Sequence, residues 1–288
     1  MLEVLAFGLL NGGVYSLLAM GLGLTFGKQN LADLANPAFV VVAAYLTLVL
    51  ANRAGVHPFL SLLVTVPVLA GIGALVQLGL INRLLSRPPF EMHTHSALIL
   101  FALSTLVQSV LTIIFTGDAQ GLQTSISDSV WKILDLRLPI VKLIALGMSL
   151  AITLGLFLAL TRTFYGKAIL ATYANREVAQ LLGINVIVVD VVTYGLATAL
   201  TGFAGLILAL GYSFSPASLA FVTIMALSVA ILGGKGSTVG VLVAGLVVGL
   251  VEQITGFTLT TTWTLFAIYA LLLTMLAIRP TGLLGERL

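Results

Sequence analysis

Apolar runs long enough to cross a bilayer recur along this chain, at about 4–26, 37–51, 59–81, 96–116, 139–161, 187–211, 218–233, 239–256 and 263–279. A membrane span needs about 20 mostly apolar residues. The second and seventh runs are short, and Pro37 and Pro216 stand at their starts. Short segments interrupted by Pro or Gly are candidates for broken or re-entrant helices around a pathway. The charge content agrees: 8% of the 288 residues are Asp, Glu, Lys or Arg, against roughly 25% in a soluble domain. A water-soluble globule could not cover its surface with so few charges. The chain reads as an all-α polytopic membrane protein, one transmembrane domain over 1–288 with about 8–9 transmembrane helices, some short or broken.

The absence of cysteine excludes a disulfide framework, a thiolate metal site and a cysteine nucleophile. Three histidines, His57, His93 and His95, leave little for a histidine metal centre. The net charge of +3 does not point to nucleic acid, because basic residues in a membrane chain first report topology. Alternating the nine runs puts Lys28, Arg83, Arg87, Arg162, Lys167, Arg176, Lys235, Arg279 and Arg287 on one side. Arg53, Lys132, Arg137 and Lys142 fall on the other. That bias predicts a cytoplasmic C-terminus and an outside N-terminus. Glu3 stands where a signal peptide would be basic, and no small-residue cleavage site follows, so the first run is expected to be a retained span.

Two connections exceed turn length. Residues 117–138, with Asp118, Asp128, Lys132 and Asp135, are expected outside, packed on the bundle or meeting a partner. Residues 162–186 are expected inside. There Arg176, Glu177 and Gln180 alternate with Val178, Leu181 and Leu182 in an amphipathic stretch too polar to span. Gly166 is expected to precede one helical run and Gly183 to stop another. Such a stretch suits a helix lying on the bilayer or one docked in a groove of a cytoplasmic partner.

The pattern Glu177-Val178-Ala179, with Gly183 after three further residues, resembles the Glu-Ala-Ala…Gly loop of bacterial ABC importer permeases. The longer string runs from Tyr165-Gly166-Lys167-Ala168 through Asn175-Arg176-Glu177 to Leu182-Gly183-Ile184-Asn185-Val186, and on to Leu200-Thr201-Gly202-Phe203-Ala204-Gly205-Leu206. It resembles the branched-chain amino acid permease family. Asn11-Gly12-Gly13-Val14-Tyr15 through Gly21, with Leu24-Thr25-Phe26-Gly27, is similar to the family's opening helix. Gly233-Gly234-Lys235-Gly236-Ser237 leading to Gly249-Leu250-Val251-Glu252 is also family-like.

This resemblance implies a non-catalytic permease subunit of an ABC importer in the bacterial inner membrane, taking up branched-chain amino acids. It implies a second homologous permease in a heterodimer, two cytoplasmic ATPase subunits and a periplasmic substrate-binding protein. Gly166, Arg176, Glu177, Ala179 and Gly183 would then belong to a cytoplasmic coupling helix. ATP and Mg would be used by the ATPases, with no cofactor or metal bound by this chain. Relatives also serve urea, other amino acids and small carboxylates.

After the first span, relatives commonly show Asn-Phe-Ala-His-Gly followed by an acidic or amide residue, whereas this chain has Asp33-Leu34-Ala35-Asn36-Pro37-Ala38. Asp33, Asn36 and Pro37 either line the pathway with an altered hydrogen-bonding inventory or cap an interfacial helix, with Pro37 favouring an extended Asn36. Glu252 and Gln253, near the outside end of a span, are candidates for an interior polar contact, either with substrate or between helices. Asp190 is expected at the interface and Gln77 as interhelical glue. The Gly seams at 8-12-13, 202-205 and 245-249 are expected to permit close helix packing.

The run Gly233-Gly234-Lys235-Gly236-Ser237 is not a phosphate loop, since Gly rather than Ser or Thr follows the lysine. A stand-alone secondary transporter or channel would need convincing intramembrane acids. An enzyme would have to use Glu91, His93 and His95, whose histidines lack the i, i+4 spacing of a helical zinc site.

Overall fold

The computed structural model describes residues 2–29, 33–85, 89–124, 126–127, 129–133, 136–234, 236–279 and 281–285. Arg87, Asp128, Asp135, Lys235 and Arg287, and the side chains of Lys28, Glu91, His93, His95 and Lys132, lie outside the described residues. Among the described residues, seven helices are long and apolar enough to cross a membrane. They include α1 (Leu2–Lys28), α2 (Asn36–Ala54) and α3 (Leu62–Val76), the last extended by a π turn at Gln77–Ile81 and a short α4 (Asn82–Leu85). Then come α5 (Pro89–Phe115), α6 (Ile140–Arg162), the short α7 (Phe164–Ala174) and α8 (Arg176–Leu181), and α9 (Val186–Gly211). The chain closes with α10 (Ser218–Gly233), α11 (Thr238–Thr258) and α12 (Thr264–Ile278). The 16-residue α10 and 15-residue α12 reach only about 24 Å at 1.5 Å per residue, short of the ~30 Å hydrocarbon core.

The helix α1 is apolar on every side, the pattern of a helix enclosed by others. It is the most buried span, followed by α9 and α2, while α5 and α6 turn residues such as Phe101, Ile113, Leu154 and Phe157 outward. Lipid tails are as apolar as leucine, so close packing rather than water exclusion holds these helices together. The glycine seams supply it. Gly8 and Gly12 of α1 lie directly on Gly245, Leu246, Gly249 and Leu250 of α11, and Gly205 of α9 abuts Val40, Ala43 and Ala44 of α2.

The start of α2 lies inside the bundle. The Asn36 side chain lies against Gly21, seven residues back from the end of α1, or about 10 Å along the axis. Residues 117–138 are not wholly irregular: β1 (Val130–Ile133) and β2 (Leu136–Pro139) pair antiparallel. The stretch before them is pinned to the end of α9, where Gln120 pairs with Phe214 and Leu122 N–H bonds the Ala209 carbonyl. The segment thus packs on the bundle, one of the two expectations for it. Gln77 is not interhelical glue, since its Nε2 donates to Asn82 Oδ1 within the same π-turned stretch.

Candidate functional site

At the end of the bundle carrying Arg162, Lys167 and Arg176, α7 and α8 form a two-helix elbow. Thr163 caps α7, its hydroxyl accepting from Gly166 N–H at 3.0 Å. Gly166 therefore sits inside the first turn of α7 rather than ahead of it, correcting the expected boundary. A Cβ there would strike the Ala159 carbonyl and Leu160, so glycine is what lets the chain fold back tightly on α6. Asn175 opens α8 by accepting from Val178 N–H. Gly183 closes α8 at φ +81°, with Gly183 N–H on the Gln180 carbonyl and Ile184 N–H on that of Ala179. This pair of bonds is a Schellman stop, which needs a left-handed residue.

The elbow presents one face and anchors the other. Ala179 is buried, whereas Leu181 and Leu182 are 87% and 74% exposed and Glu177 and Val178 also face out. Apolar side chains this open on a short capped helix form a surface ready for a partner or for lipid headgroups.

The anchor is a polar thread leading inward. Arg176 Nη2 pairs with Asp190 Oδ2 at 2.7 Å. Asp190 is 3% exposed, so it is buried, correcting the expected interfacial placement, although it does lie near the start of α9. Gln29 Nε2 donates to the Asp190 carbonyl at 2.8 Å. One helical turn further, Tyr194 donates its hydroxyl to Asp33 Oδ1 at 3.2 Å. The same Asp33 oxygen accepts from the backbone N–H groups of Ala35 and Asn36.

The loop helix, the first two turns of α9 and the start of α2 are thereby linked through side chains. Asp33 does cap the chain entering α2, but fully inside the protein. Asn36 is the first helical residue, with Pro37 next to it. The extended conformation that Pro37 favours at Asn36 gives way to packing against Gly21 and α9.

Burial pushes the Asp33 carboxyl up to about 6 from 3.8, against the lowering by its hydrogen bonds. The folded state therefore holds this proton between about pH 4 and 6 while the unfolded chain has lost it, so stability falls as pH rises through that window. Two pH units at 1.36 kcal/mol each amount to roughly 3 kcal/mol. Asp33→Asn keeps an acceptor for Tyr194, and its thermal unfolding in detergent is expected to lose this slope between pH 4 and 6. An unchanged slope in the variant would assign the titration elsewhere.

A second polar cluster lies at the opposite end. Tyr15 donates to Glu252 Oε2 at 2.7 Å. Lys142 Nζ donates to Asn11 Oδ1 at 2.8 Å, and the Asn11 amide reaches Glu252 and Gln253 at 3.4 and 3.5 Å. Helices α1, α6 and α11 meet here around a cavity of about 230 Å³. A larger, more open bowl of about 620 Å³, lined in part by residues 119–123 and Ser127, lies beside it, and Tyr212 and Ser213 wall both.

Of the residues expected to face a pathway, Glu252 lines a cavity and Gln253 bonds beside it. Asp33 and Asn36 are enclosed by α1, α9 and α2, and Pro37 is buried with them. Sequence reasoning did not assign Asn11, Tyr15, Lys142 or Tyr194 to a site. Asn11 and Tyr15 sit four apart on one face of α1, but their partners are up to 242 residues away.

Residues 4–276 match the family described as the branched-chain amino acid transport system permease component. A probable branched-chain amino acid transport permease protein LivH of Methanocaldococcus jannaschii is 28% identical over 93% of this chain and 88% of its own length. The high-affinity permease LivH of Escherichia coli K12 is 34% identical over 42% of this chain and 40% of its own. BraD of Pseudomonas aeruginosa is 31% identical over 46% and 43%. In fold, the chain aligns with PsaBC from Streptococcus pneumoniae, solved in complex with Fab. The TM-score is 0.52 at 15% identity, covering 96% of this chain and 92% of that one. With nearly its whole length matched and its helices of bilayer length, this multi-pass membrane protein belongs to the branched-chain amino acid transport permease family.

Proposed function

We propose that the chain is the membrane permease subunit of an ATP-driven importer for branched-chain amino acids, resident in the inner (plasma) membrane. It works beside a second, homologous permease, two cytoplasmic ATPase subunits that use ATP and Mg, and a periplasmic substrate-binding protein. The observation that carries the reading is the α7–α8 elbow, with an exposed face at Glu177, Val178, Leu181 and Leu182 and a rigid root at Ala179 and Arg176–Asp190. A helix gripped by a moving ATPase must be held this way if its motion is to reach the spans rather than be absorbed in the loop. Arg176, Glu177, Ala179 and Gly183 are assigned to that coupling helix and Gly166 to its hinge on α6.

The polar thread continues the push from α8 to α9 and the buried start of α2. Asp33 Oδ2 and both side-chain amide atoms of Asn36 are buried and find no hydrogen-bond partner among the described residues. Such atoms favour any state in which they find one. Asp33, Asn36 and Pro37 would therefore face the pathway when α1 and α9 part, while Glu252 and Gln253 face it from the opposite end.

Affinity purification of the tagged chain from its native membrane, with mass spectrometry of what accompanies it, tests this assembly. Recovery of an ATPase and a second permease is expected. A chain that comes out alone and still moves solute in liposomes would instead be a secondary transporter or channel.

A further inference from the structure

The geometry points to the small cavity between α1, α6, α9, α10 and α11 as a binding subsite for a zwitterionic, aliphatic amino acid, with Lys142 holding the carboxylate and Glu252 the ammonium. This inference rests on the proposed transport function and adds a site within the permease itself.

The charges come first. Lys142 and Glu252 both line the cavity, and both bridge through Asn11 rather than closing on one another. Asn11 occupies one of the three Lys142 N–H donors. The hydrogen bonds that Glu252 receives from Tyr15 and Asn11 both fall on Oε2. Each charge thus retains bonding capacity in a confined space. A simple cation or anion entering would satisfy one of them and be repelled by the other. A molecule carrying an ammonium and a carboxylate on the same carbon satisfies both and keeps the site neutral.

The remaining wall selects the side chain. Val14, Leu18, Leu208, Phe221 and Val222 line the same cavity, and apolar lining around a few polar groups is the usual composition of a metabolite site. At about 230 Å³ it lies below the ~300–1,000 Å³ of drug-sized pockets, which suits one small metabolite. An open bowl lies next to it. The bowl of about 620 Å³ is predominantly polar at its wall, with Asn52, Gln120, Gln123 and Ser127, and Tyr212 and Ser213 stand between it and the small cavity.

The test uses the assembled complex in nanodiscs, without binding protein or ATP, and reads ligand contact by saturation-transfer NMR at millimolar concentration. The probes are leucine, 3-methylbutylamine, which lacks the carboxylate, and 4-methylpentanoate, which lacks the ammonium. The wild type is expected to prefer leucine over either analogue by about tenfold or more, as expected when a half-buried charge loses its partner. Lys142→Met should remove the preference over 3-methylbutylamine and keep that over 4-methylpentanoate. Glu252→Gln should do the reverse.

That crossed pattern cannot arise if the cluster merely fastens helices. Equal changes for all three probes, or no leucine contact in the wild type, would overturn the subsite. If Glu252→Gln fails to fold, Lys142→Met at the start of α6 decides alone. Wild-type complex that accumulates some other solute and never leucine in an ATP-driven assay would instead fault the proposed substrate class.

Discussion

Gly249→Leu is expected to destroy the folded permease. A Cβ at Gly249 would lie against the Gly12 backbone and the Gly8 carbonyl of α1, so neither helix can yield by turning a side chain. The two helices would have to separate along the most extensive interface in the bundle. Overpacking a core that can adjust its side chains costs about 1–3 kcal/mol, and here the obstacle is main chain, so the loss sits at or beyond the upper end. In a membrane the separated pair gains nothing from burial elsewhere, because close packing is what held it.

The contrast is Gly155→Leu on α6, where a Cβ meets nothing within 4 Å and the residue faces outward. Size-exclusion profiles and thermal unfolding in detergent should show the first variant aggregated and the second like the wild type. A monodisperse Gly249→Leu protein with an unchanged midpoint would contradict the α1–α11 packing described.

The same glycines show what the sequence reveals and where it stops. Spacings at Gly8-Gly12 and Gly245-Gly249 announce close packing, and each of the nine apolar runs is found as a helix. Hydropathy does not say which helix pairs with which. In α1, apolar on all sides, it gives no direction of facing. Asp190 illustrates the limit well. Its place near a helix start suggests water, but Arg176, brought back by the Asn175–Gly183 elbow, makes a buried carboxylate tolerable.

Of the Asn11–Lys142–Glu252 cluster only Glu252 was legible, because Lys142 is 131 residues from Asn11 and its sequence context says only that it stands at the start of a span. The β1–β2 hairpin was missed although Leu134-Asp135-Leu136-Arg137-Leu138 alternates as a strand does, because the alternation covers only five residues beside a long apolar run. The amphipathic loop was legible by contrast. Its signal is local, with a cap residue, a glycine stop and a two-faced helix between them.

Coupling through that loop is the central claim, and Gly183 isolates it. At φ +81° with open space around it, Gly183→Val strains the end of α8 without touching any span. A β-branched residue is among the worst at a left-handed position. The cost falls on the elbow, by about 1–2 kcal/mol, while the bundle keeps its packing.

The deciding measurement is uptake of labelled leucine into proteoliposomes holding the complete complex and binding protein, with ATP hydrolysis recorded in the same samples. Wild-type complex should accumulate leucine only with ATP. Gly183→Val should continue to hydrolyse ATP while accumulation falls about tenfold or more. Leucine accumulation that needs no ATP, or that survives Gly183→Val at the wild-type rate per ATP, would contradict the account.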